Sequence, residues 1–313
     1  MSGPVASTDA NPLTSVPGPA VGGPTLELLP ARSAEVAGMP VVRALPKRER
    51  RTVGAWCFAD HFGPVDVAVA AMQVGPHPHM GLQTVTWVLD GAVLHRDNLG
   101  SEQLIRPGQL NLMTAGRGVS HAEETPGTAS GRLHGVQLWV AQPDSTRFGD
   151  AAFEHHPSLP QVRVGAVTAT VLVGEFAGAR SPARTDTPLV GVDLSVTTES
   201  VLPLDSAFEH GLIVVDGALQ VDDTVVRPGT LAYLGQGRDE LRLTGAAPGA
   251  QALLLGGVPF EDTILMWWNF VARTRAEMDE AYRDWEAASG RFGEVHSPLS
   301  RIGAPSPHWV EAG

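Results

Sequence analysis

The stretch "GPHPHMGLQTVTW", residues 75–87, decides the fold because it places two histidines at the start of an alternating, β-branched segment. Residues two apart on a strand point to the same face of a sheet, so the side chains of His77 and His79 lie on one face. Pro78 between them has no amide hydrogen for a sheet, which favours the start or the edge of a strand. The stretch therefore predicts a β-strand that presents two imidazoles together near the mouth of a barrel.

An internal repeat surrounds this stretch. "VLDGAVLHRDNLGSEQLIRPGQLNLMTAG" (88–116) is echoed by "VVDGALQVDDTVVRPGTLAYLGQG" (214–237). Each copy has a hydrophobic strand, Asp-Gly-Ala, a second strand, Arg-Pro-Gly, and a third strand that ends in glycine. Two such copies predict duplicated antiparallel β-barrels or jelly rolls.

The remainder of the chain sets the domain boundaries. The 35 glycines and 25 prolines favour short strands and turns over long helices. We predict an all-β fold with a disordered N-terminal tail over 1–25, a first domain over 26–145 and a second over 146–272. Residues 273–313 form a C-terminal helix and tail, since "RTRAEMDEAYRDWEAAS" (273–289) has apolar and charged residues at helical spacing.

Composition disfavours several classes of partner. The chain has 34 acidic and 22 basic residues, a formal charge of -12, which repels nucleic-acid phosphates. The basic run "KRERR" (47–51) is short and indicates a solvated turn. No apolar run approaches the length of a membrane span. The single cysteine, Cys57, excludes an intrachain disulfide and favours a reducing, cytoplasmic location.

A second pair of candidate ligands follows the first. In "GRGVSHAEETPG" (116–127), His121 and Glu123 are again two apart. If both pairs face the interior, three imidazoles and one carboxylate converge, the donors that suit iron(II), manganese or nickel. Four such ligands leave two positions of an octahedral ion open for dioxygen or a substrate. We therefore predict His77, His79, His121 and Glu123 as metal ligands; the alternative is a set of polar interior residues without a metal.

Other polar residues in the first copy are weaker candidates. His61, His95 and His134 are each expected to make hydrogen bonds or to lie at the surface. Glu124 is the alternative carboxylate, but strand alternation sends it to the face opposite His121.

The second copy lacks these ligands. The same spacings, counted from its Asp-Gly and Arg-Pro-Gly motifs, reach Pro203, Asp205, Arg242 and Thr244. None of these is a histidine, and His210 stands alone. The second domain is therefore predicted to hold no metal and to support the first.

The chain resembles the pirin family of the cupin superfamily from about residue 40 to 290. The matching motifs are "RRTVGAWCFADHFGP" (50–64), "HPHMGLQTVTWVLDGAVLHRDNLG" (77–100), "RPGQLNLMTAGRGVSHAE" (106–123) and "GVQLWVAQP" (135–143). The resemblance implies two tandem cupin domains with Fe(II) in the N-terminal one only, held by His77, His79, His121 and Glu123. Manganese, nickel, cobalt and copper are alternatives to iron.

The sequence departs from the family pattern after the first histidine pair. Met80, Leu82 and Gln83 stand where the family usually has Arg, Phe and Glu. We expect Gln83 to be a neutral hydrogen-bonding residue beside the metal. The entrance to the site is therefore expected to carry less charge than in the family pattern. This departure affects the prediction of the substrate more than the prediction of the metal.

The resemblance implies a dioxygenase that uses dioxygen and acts on a flavonol such as quercetin, or on another small enolizable or aromatic compound. Glu123 would be the catalytic proton acceptor. Trp87, Phe62 and Met80 would line the pocket, and the alternative for each is an ordinary core residue. The alternative function is a non-enzymatic, redox-sensing regulator that binds a transcription factor or a metabolic enzyme. A third hypothesis is a structural protein of two cupin domains that binds no metal.

Overall fold

A computed structural model describes residues 25–127, 131–245 and 249–309. All but the last residue of the predicted tail, 1–25, lies outside the described residues. The described chain consists of short strands and one helix, which confirms the predicted all-β fold with a C-terminal helix.

The strands of the first half of the chain are β1 (Glu27–Pro30), β2 (Arg32–Val36), β3 (Met39–Leu45), β4 (Trp56–Asp66), β5 (Gln73–His79), β6 (Leu82–Asp90), β7 (Val93–Asp97), β8 (Glu102–Ile105), β9 (Leu110–Thr114), β10 (Val119–Glu124), β11 (Arg132–Ala141) and β12 (Ala152–His156). Those of the second half are β13 (Gln161–Val164), β14 (Val167–Val173), β15 (Glu175–Phe176), β16 (Ala179–Arg180), β17 (Leu189–Val196), β18 (Ser200–Pro203), β19 (Glu209–Asp216), β20 (Leu219–Val221), β21 (Thr224–Val226), β22 (Thr230–Gly235), β23 (Glu240–Gly245), β24 (Ala250–Gly257), β25 (Leu265–Trp267) and β26 (Phe270–Ala272). The helix α1 spans Arg275–Glu286, within the predicted 273–289.

The strands form two similar units, each built from a seven-stranded and a four-stranded antiparallel sheet. In the first jelly roll, the sheet β12-β9-β6-β11-β4-β3-β2 packs on the sheet β5-β10-β7-β8. In the second jelly roll, the sheet β1-β22-β19-β24-β17-β14-β13 packs on the sheet β18-β23-β20-β21. The repeat seen in the sequence thus corresponds to two copies of the same architecture.

The repeated glycines of the two copies adopt the same backbone conformation. Gly91 and Gly217 follow the repeated aspartates, with φ of 85° and 73°, and Gly108 and Gly229 of the Arg-Pro-Gly motifs have φ of 83° and 86°. This left-handed region costs a side chain steric strain that glycine avoids. The turns between strands explain why these residues recur in both copies.

The sheets do not follow the predicted domain boundaries. Strand β1, placed in the first domain by the boundary at 26, pairs with β22 of the second jelly roll. Strand β12, beyond the boundary at 145, pairs with β9 of the first. Each jelly roll therefore includes one strand from beyond its predicted boundary.

The two seven-stranded sheets pack face to face. One apolar cluster joins Val85 and Leu138 of the first to Ile213 and Leu253 of the second. Trp56 crosses this contact and its Nε1 donates to the carbonyl oxygens of Val190 and Gly256, at 3.1 and 3.2 Å. Since one face of each large sheet is covered by the other, the opposite face is left for the interior of its own jelly roll.

The helix closes one end of the first jelly roll. The Thr274 hydroxyl accepts from the Glu277 amide at 3.2 Å and caps the N-terminus of α1. The buried helix residues Met278, Ala281 and Trp285 pack on an aromatic cluster that includes Phe270. Within the described ranges, no helix has the length and apolarity that crossing a bilayer requires.

Candidate metal centre

Three of the predicted ligands meet in the interior of the first jelly roll. His77 and His79 lie on β5 and His121 on β10, opposite one another in an antiparallel pair, and all three are fully buried. The ring centroid of His121 is 4.4 Å from that of His77 and 5.0 Å from that of His79. The Nε2 atoms of His79 and His121 are 3.1 Å apart. Each ring offers one nitrogen within 4.8 Å of the others, a spacing at which one ion can bind all three.

Backbone carbonyls orient two of these rings. Nδ1 of His77 is 2.8 Å from the Gly75 oxygen, and Nδ1 of His79 is 3.0 Å from the Asn269 oxygen. A carbonyl only accepts hydrogen bonds, so Nδ1 carries the proton and Nε2 keeps its lone pair. Such outer contacts are typical of metal-binding histidines.

One buried atom shows that these residues fit a metal. Nε2 of His77 is buried and has no hydrogen-bond partner among the described residues. An unpaired buried acceptor costs free energy unless something binds it. A cation at this point would accept the lone pair of His77 Nε2 and could also bind the nitrogens of His79 and His121.

The environment keeps the imidazoles uncharged. Burial lowers the pKa of His77 to about 3. Burial and then His77 lower the pKa of both His79 and His121 well below the ordinary value. At neutral pH the rings are therefore neutral and available as ligands without loss of a proton.

Glu123 lies beside a second histidine. A register shift between His121 and Glu123 changes the pairing of β10 with β5, while Glu123 stays directly opposite His95 of β7. His95 joins His121 and Glu123 in a second buried cluster with donor atoms within 4.8 Å. Its Nδ1 is 3.3 Å from Nδ1 of His121, and its Nε2 is 3.1 Å from Oδ2 of Asp97. The carboxylate is thus close to one of the three imidazoles and is not equidistant from them.

The remaining candidates lie elsewhere. Glu124 turns away from the centre, where it accepts hydrogen bonds from Arg96 at 2.7 Å and Ser297 at 2.8 Å. His61 and His134 pair with each other, with their Nε2 atoms 2.7 Å apart, and take no part in the cluster of imidazoles.

Two predictions for β6 are wrong. Thr86 donates to Oε1 of Glu123, so the even-numbered residues of β6 face the interior and the odd-numbered residues face the other jelly roll. Gln83 lies on that outer face and donates to Oγ1 of Thr114 at 3.0 Å, not to a residue of the centre. Trp87 does not line the pocket either, because its Nε1 donates to Oδ2 of Asp193 in the second jelly roll at 3.1 Å.

The other two predicted lining residues belong to apolar clusters. Phe62 packs with Val41, Met72 and Val88 in the core of the first jelly roll. Met80 packs among the aromatic residues under α1. Neither contact joins them to the three imidazoles.

Several polar residues of the centre were not among the site residues predicted from the sequence. Thr86 Oγ1 is 3.3 Å from Glu123 Oε1 and 3.0 Å from Gln137 Oε1. Trp139 packs edge-on to His79, with ring centroids 5.1 Å apart, and Asn269 supplies the carbonyl that orients the same histidine. Three of their donor atoms are buried and have no partner among the residues that the structure describes: Gln137 Nε2, Trp139 Nε1 and Asn269 Nδ2. Unpaired donors around a metal suit a ligand rich in oxygen acceptors.

The second jelly roll has no such centre in the part of the chain that the structure describes. The counterparts of β5 and β10 are β18 and β23, whose buried residues are Ser200, Leu202, Leu241 and Leu243. Arg242, which the repeat spacing places at the position equivalent to a ligand of the first copy, is half exposed and forms an ion pair with Glu199.

Comparisons with known proteins agree with this architecture. The sequence model of the Pirin family matches residues 38–140, and that of the Pirin C-terminal cupin domain matches residues 189–293. A Pseudomonas aeruginosa protein, by name a candidate quercetin 2,3-dioxygenase, is 46% identical over 289 residues, 91% of each chain. Human pirin is 27% identical over 293 residues, 89% of this chain and 97% of its own.

A solved structure matches closely as well. The crystal structure of quercetin 2,3-dioxygenase from Acinetobacter baumannii has a TM-score of 0.87 and 46% identity, covering 90% of this chain and 95% of its own. The fold of two tandem cupin domains is thereby confirmed, with the histidine cluster in the N-terminal one. The chain belongs to the pirin family of the cupin superfamily.

Proposed function

We propose that this protein is an iron-dependent dioxygenase that cleaves a flavonol such as quercetin, with Fe(II) held by His77, His79, His121 and Glu123. The observation that carries the proposal is the convergence of three neutral imidazoles, two of them oriented by backbone carbonyls. Among the described residues, Nε2 of His77 has no partner. The names of the Pseudomonas and Acinetobacter relatives support the choice of reaction and substrate.

The metal and the chain have separate roles in this proposal. When bound, Fe(II) supplies Lewis-acid polarisation of a chelating hydroxy-ketone and electron transfer to dioxygen. His77 and His79 hold fixed directions because their Nδ1–H groups donate to backbone carbonyls. A dioxygenase puts both oxygen atoms into its product, so no external reductant is needed.

In this proposal Glu123 accepts the proton of the flavonol hydroxyl. Its carboxylate is buried, and Thr86 donates to its Oε1 at 3.3 Å, which fixes the orientation of the group. Gln137 lies on the other side of Thr86, with its Oε1 3.0 Å from Thr86 Oγ1. Its Nε2 has no partner among the described residues and would donate to an oxygen of the substrate.

The test is the metal content of anaerobically purified protein, with oxygen uptake on addition of quercetin, for the wild type beside His121→Ala. We expect near-stoichiometric iron and iron-dependent uptake in the wild type, and neither in the variant. Flavone, which lacks the 3-hydroxyl and cannot chelate, should cause no uptake. Stoichiometric manganese, nickel, cobalt or copper in place of iron would overturn the choice of metal, since these ions accept the same donors.

Stoichiometric iron without oxygen uptake would contradict the dioxygenase proposal. It would favour the redox-sensing regulator, whose protein partner would then be sought with the reduced and the oxidised holoprotein. Absence of any metal from both proteins would overturn the metal centre itself.

We also propose a cytoplasmic location. The one cysteine, Cys57, is free and buried, and burial raises the pKa of its thiol to about 12, so it is unreactive. A chain that needs no disulfide suits a reducing compartment. Fractionation of cells that express the tagged chain tests this, and its recovery outside the cytoplasm would contradict it.

A further inference from the structure

The second jelly roll has a histidine in its own interior. His210 lies on β19, six residues before Asp216 (216 − 210), as Thr84 lies six residues before Asp90 on β6 (90 − 84). On β6 the even-numbered residues face the interior. On β19 the residues that share a face with His210, Leu212 and Val214, likewise belong to the interior core. His210 thus takes, in the second jelly roll, the interior place that Thr84 takes in the first.

A cavity of about 450 Å³ opens at this point. Its lining is mixed: polar residues line it together with the apolar Phe176, Leu254 and Phe208. The Phe208 ring centroid is 6.1 Å from that of His210. A volume of this size is that of a site for a small organic molecule.

A polar atom in this cavity lining has no partner. His210 is 1% exposed, and its Nδ1 makes no hydrogen bond within the described residues. An added Cβ on Gly256 would stand 2.6 Å from the His210 ring, so glycine at that position leaves the imidazole its space. A buried polar atom without a partner is costly, and a ligand that hydrogen-bonds to it would remove that cost.

Charge at the rim of the cavity selects against anions. Glu175 and Arg180 pair with each other at 2.9 Å, and Asp205 adds a further negative charge. Burial lowers the pKa of His210 to about 4, so the imidazole is neutral at pH 7 and offers no compensating charge. A carboxylate or phosphate therefore finds no free cation among the residues that line this cavity.

We propose that the cavity at His210 is a second binding site, which takes a small uncharged hydroxy-aromatic molecule of the phenol class. The aromatic ring lies between Phe176, Phe208 and Leu254, and the hydroxyl donates to Nδ1 of His210. The site binds its ligand without a metal and independently of the chemistry proposed for the first jelly roll.

The experiment is a ¹⁹F NMR titration of metal-depleted, full-length protein with 4-fluorophenol, beside fluorobenzene and 4-fluorobenzoate. We expect saturable binding of 4-fluorophenol, weaker binding of fluorobenzene, which lacks the hydroxyl, and none of the anion. His210→Phe keeps a ring of similar size but removes both nitrogens, and should weaken 4-fluorophenol binding about 3- to 10-fold, the range of one neutral hydrogen bond.

His121→Ala is the matched control, because it removes an imidazole from the other jelly roll and should leave this binding unchanged. Binding of 4-fluorophenol that is lost in His121→Ala and retained in His210→Phe would overturn the proposal. Equal affinities for 4-fluorophenol and fluorobenzene in the wild type would also overturn it, and that comparison does not depend on the folding of any variant.

Discussion

The two jelly rolls share strand order and turn glycines but differ in the residues of two strands. On β5 and β10 of the first, the interior carries His77, His79 and His121. On β18 and β23 of the second, it carries leucines. The same scaffold therefore encloses a polar centre in one copy and an apolar core in the other. The difference indicates that the scaffold supplies the positions and that a few side chains on two strands decide the chemistry.

The largest expected effect is on metal content. His121→Ala removes the ring that packs against both histidines of β5, and we expect metal affinity to fall well beyond the roughly 10- to 100-fold that loss of an outer contact causes. His210→Ala, the corresponding truncation in the second jelly roll, should leave metal content at wild-type level. Metal analysis after anaerobic purification checks both. Equal metal loss in the two variants would break the distinction between the jelly rolls.

The apolar copy should respond in stability and not in metal content. Leu212→Ala opens a cavity in the core of the second jelly roll and should reduce the free energy of unfolding by about 2–5 kcal/mol. The folded fraction should keep its metal, because no ligand is altered. Chemical denaturation and metal analysis of the folded protein measure the two quantities. Leu99→Ala, at a position that is 44% exposed, is the control and should have little effect.

A smaller effect sharpens the comparison between the two faces of the large sheet in the first jelly roll. Thr86→Val keeps the shape of the side chain but removes the hydroxyl that donates to Glu123, and should weaken metal binding about 10- to 100-fold. Thr114→Val makes the same change at a buried threonine whose partner, Gln83, faces the other jelly roll. That control should bind metal as the wild type does. Competition titrations with a metal chelator give both affinities, and similar losses would contradict the assignment of faces.

The smallest expected effect concerns the contact between the two jelly rolls. Burial, followed by His134, lowers the pKa of His61 to about 4, below the value of about 6.5 in an unfolded chain. The contribution of His61 to stability is therefore complete above pH 6.5 and is lost as the pH falls toward 4. Between pH 7 and pH 5, metal-depleted wild type should lose about 2 kcal/mol more stability than His61→Leu.

Denaturant titrations at the two pH values measure this difference. His308→Leu, at an exposed position, serves as the control and should follow the wild type. A parallel fall of stability with pH in the wild type and in His61→Leu would show that the pair of histidines does not report on this interface.

The sequence was sufficient for features that depend on local spacing. Residues two apart share a face of a strand, so the direction of His77 with His79, and of Glu124 away from His121, followed from the sequence alone. The repeated Asp-Gly and Arg-Pro-Gly motifs predicted two copies of one architecture because their glycines occupy the same left-handed turns.

Features that depend on register or on distant loops could not be predicted in this way. His95 reaches the centre because β7 pairs with β10 at a register that places it opposite Glu123. Asn269 comes from the turn between β25 and β26, far along the chain from the histidine that it orients. Gln83 was misassigned because its position was counted along a family pattern, whereas the alternation of β6 turns it to the other face.

The exchange of β1 and β12 has a consequence for the order in which the chain folds during synthesis. The ribosome delivers Glu27 early, but its partner in the sheet, Tyr233, only after most of the protein has been made. The first jelly roll, by contrast, lacks only β12 once β11 has emerged, and it can close as soon as residues 152–156 leave the exit tunnel. The three histidines can therefore come together while the second jelly roll is still being translated, but the Asn269 carbonyl that orients His79 arrives only later. Strand β1 is among the last of the described strands to be paired.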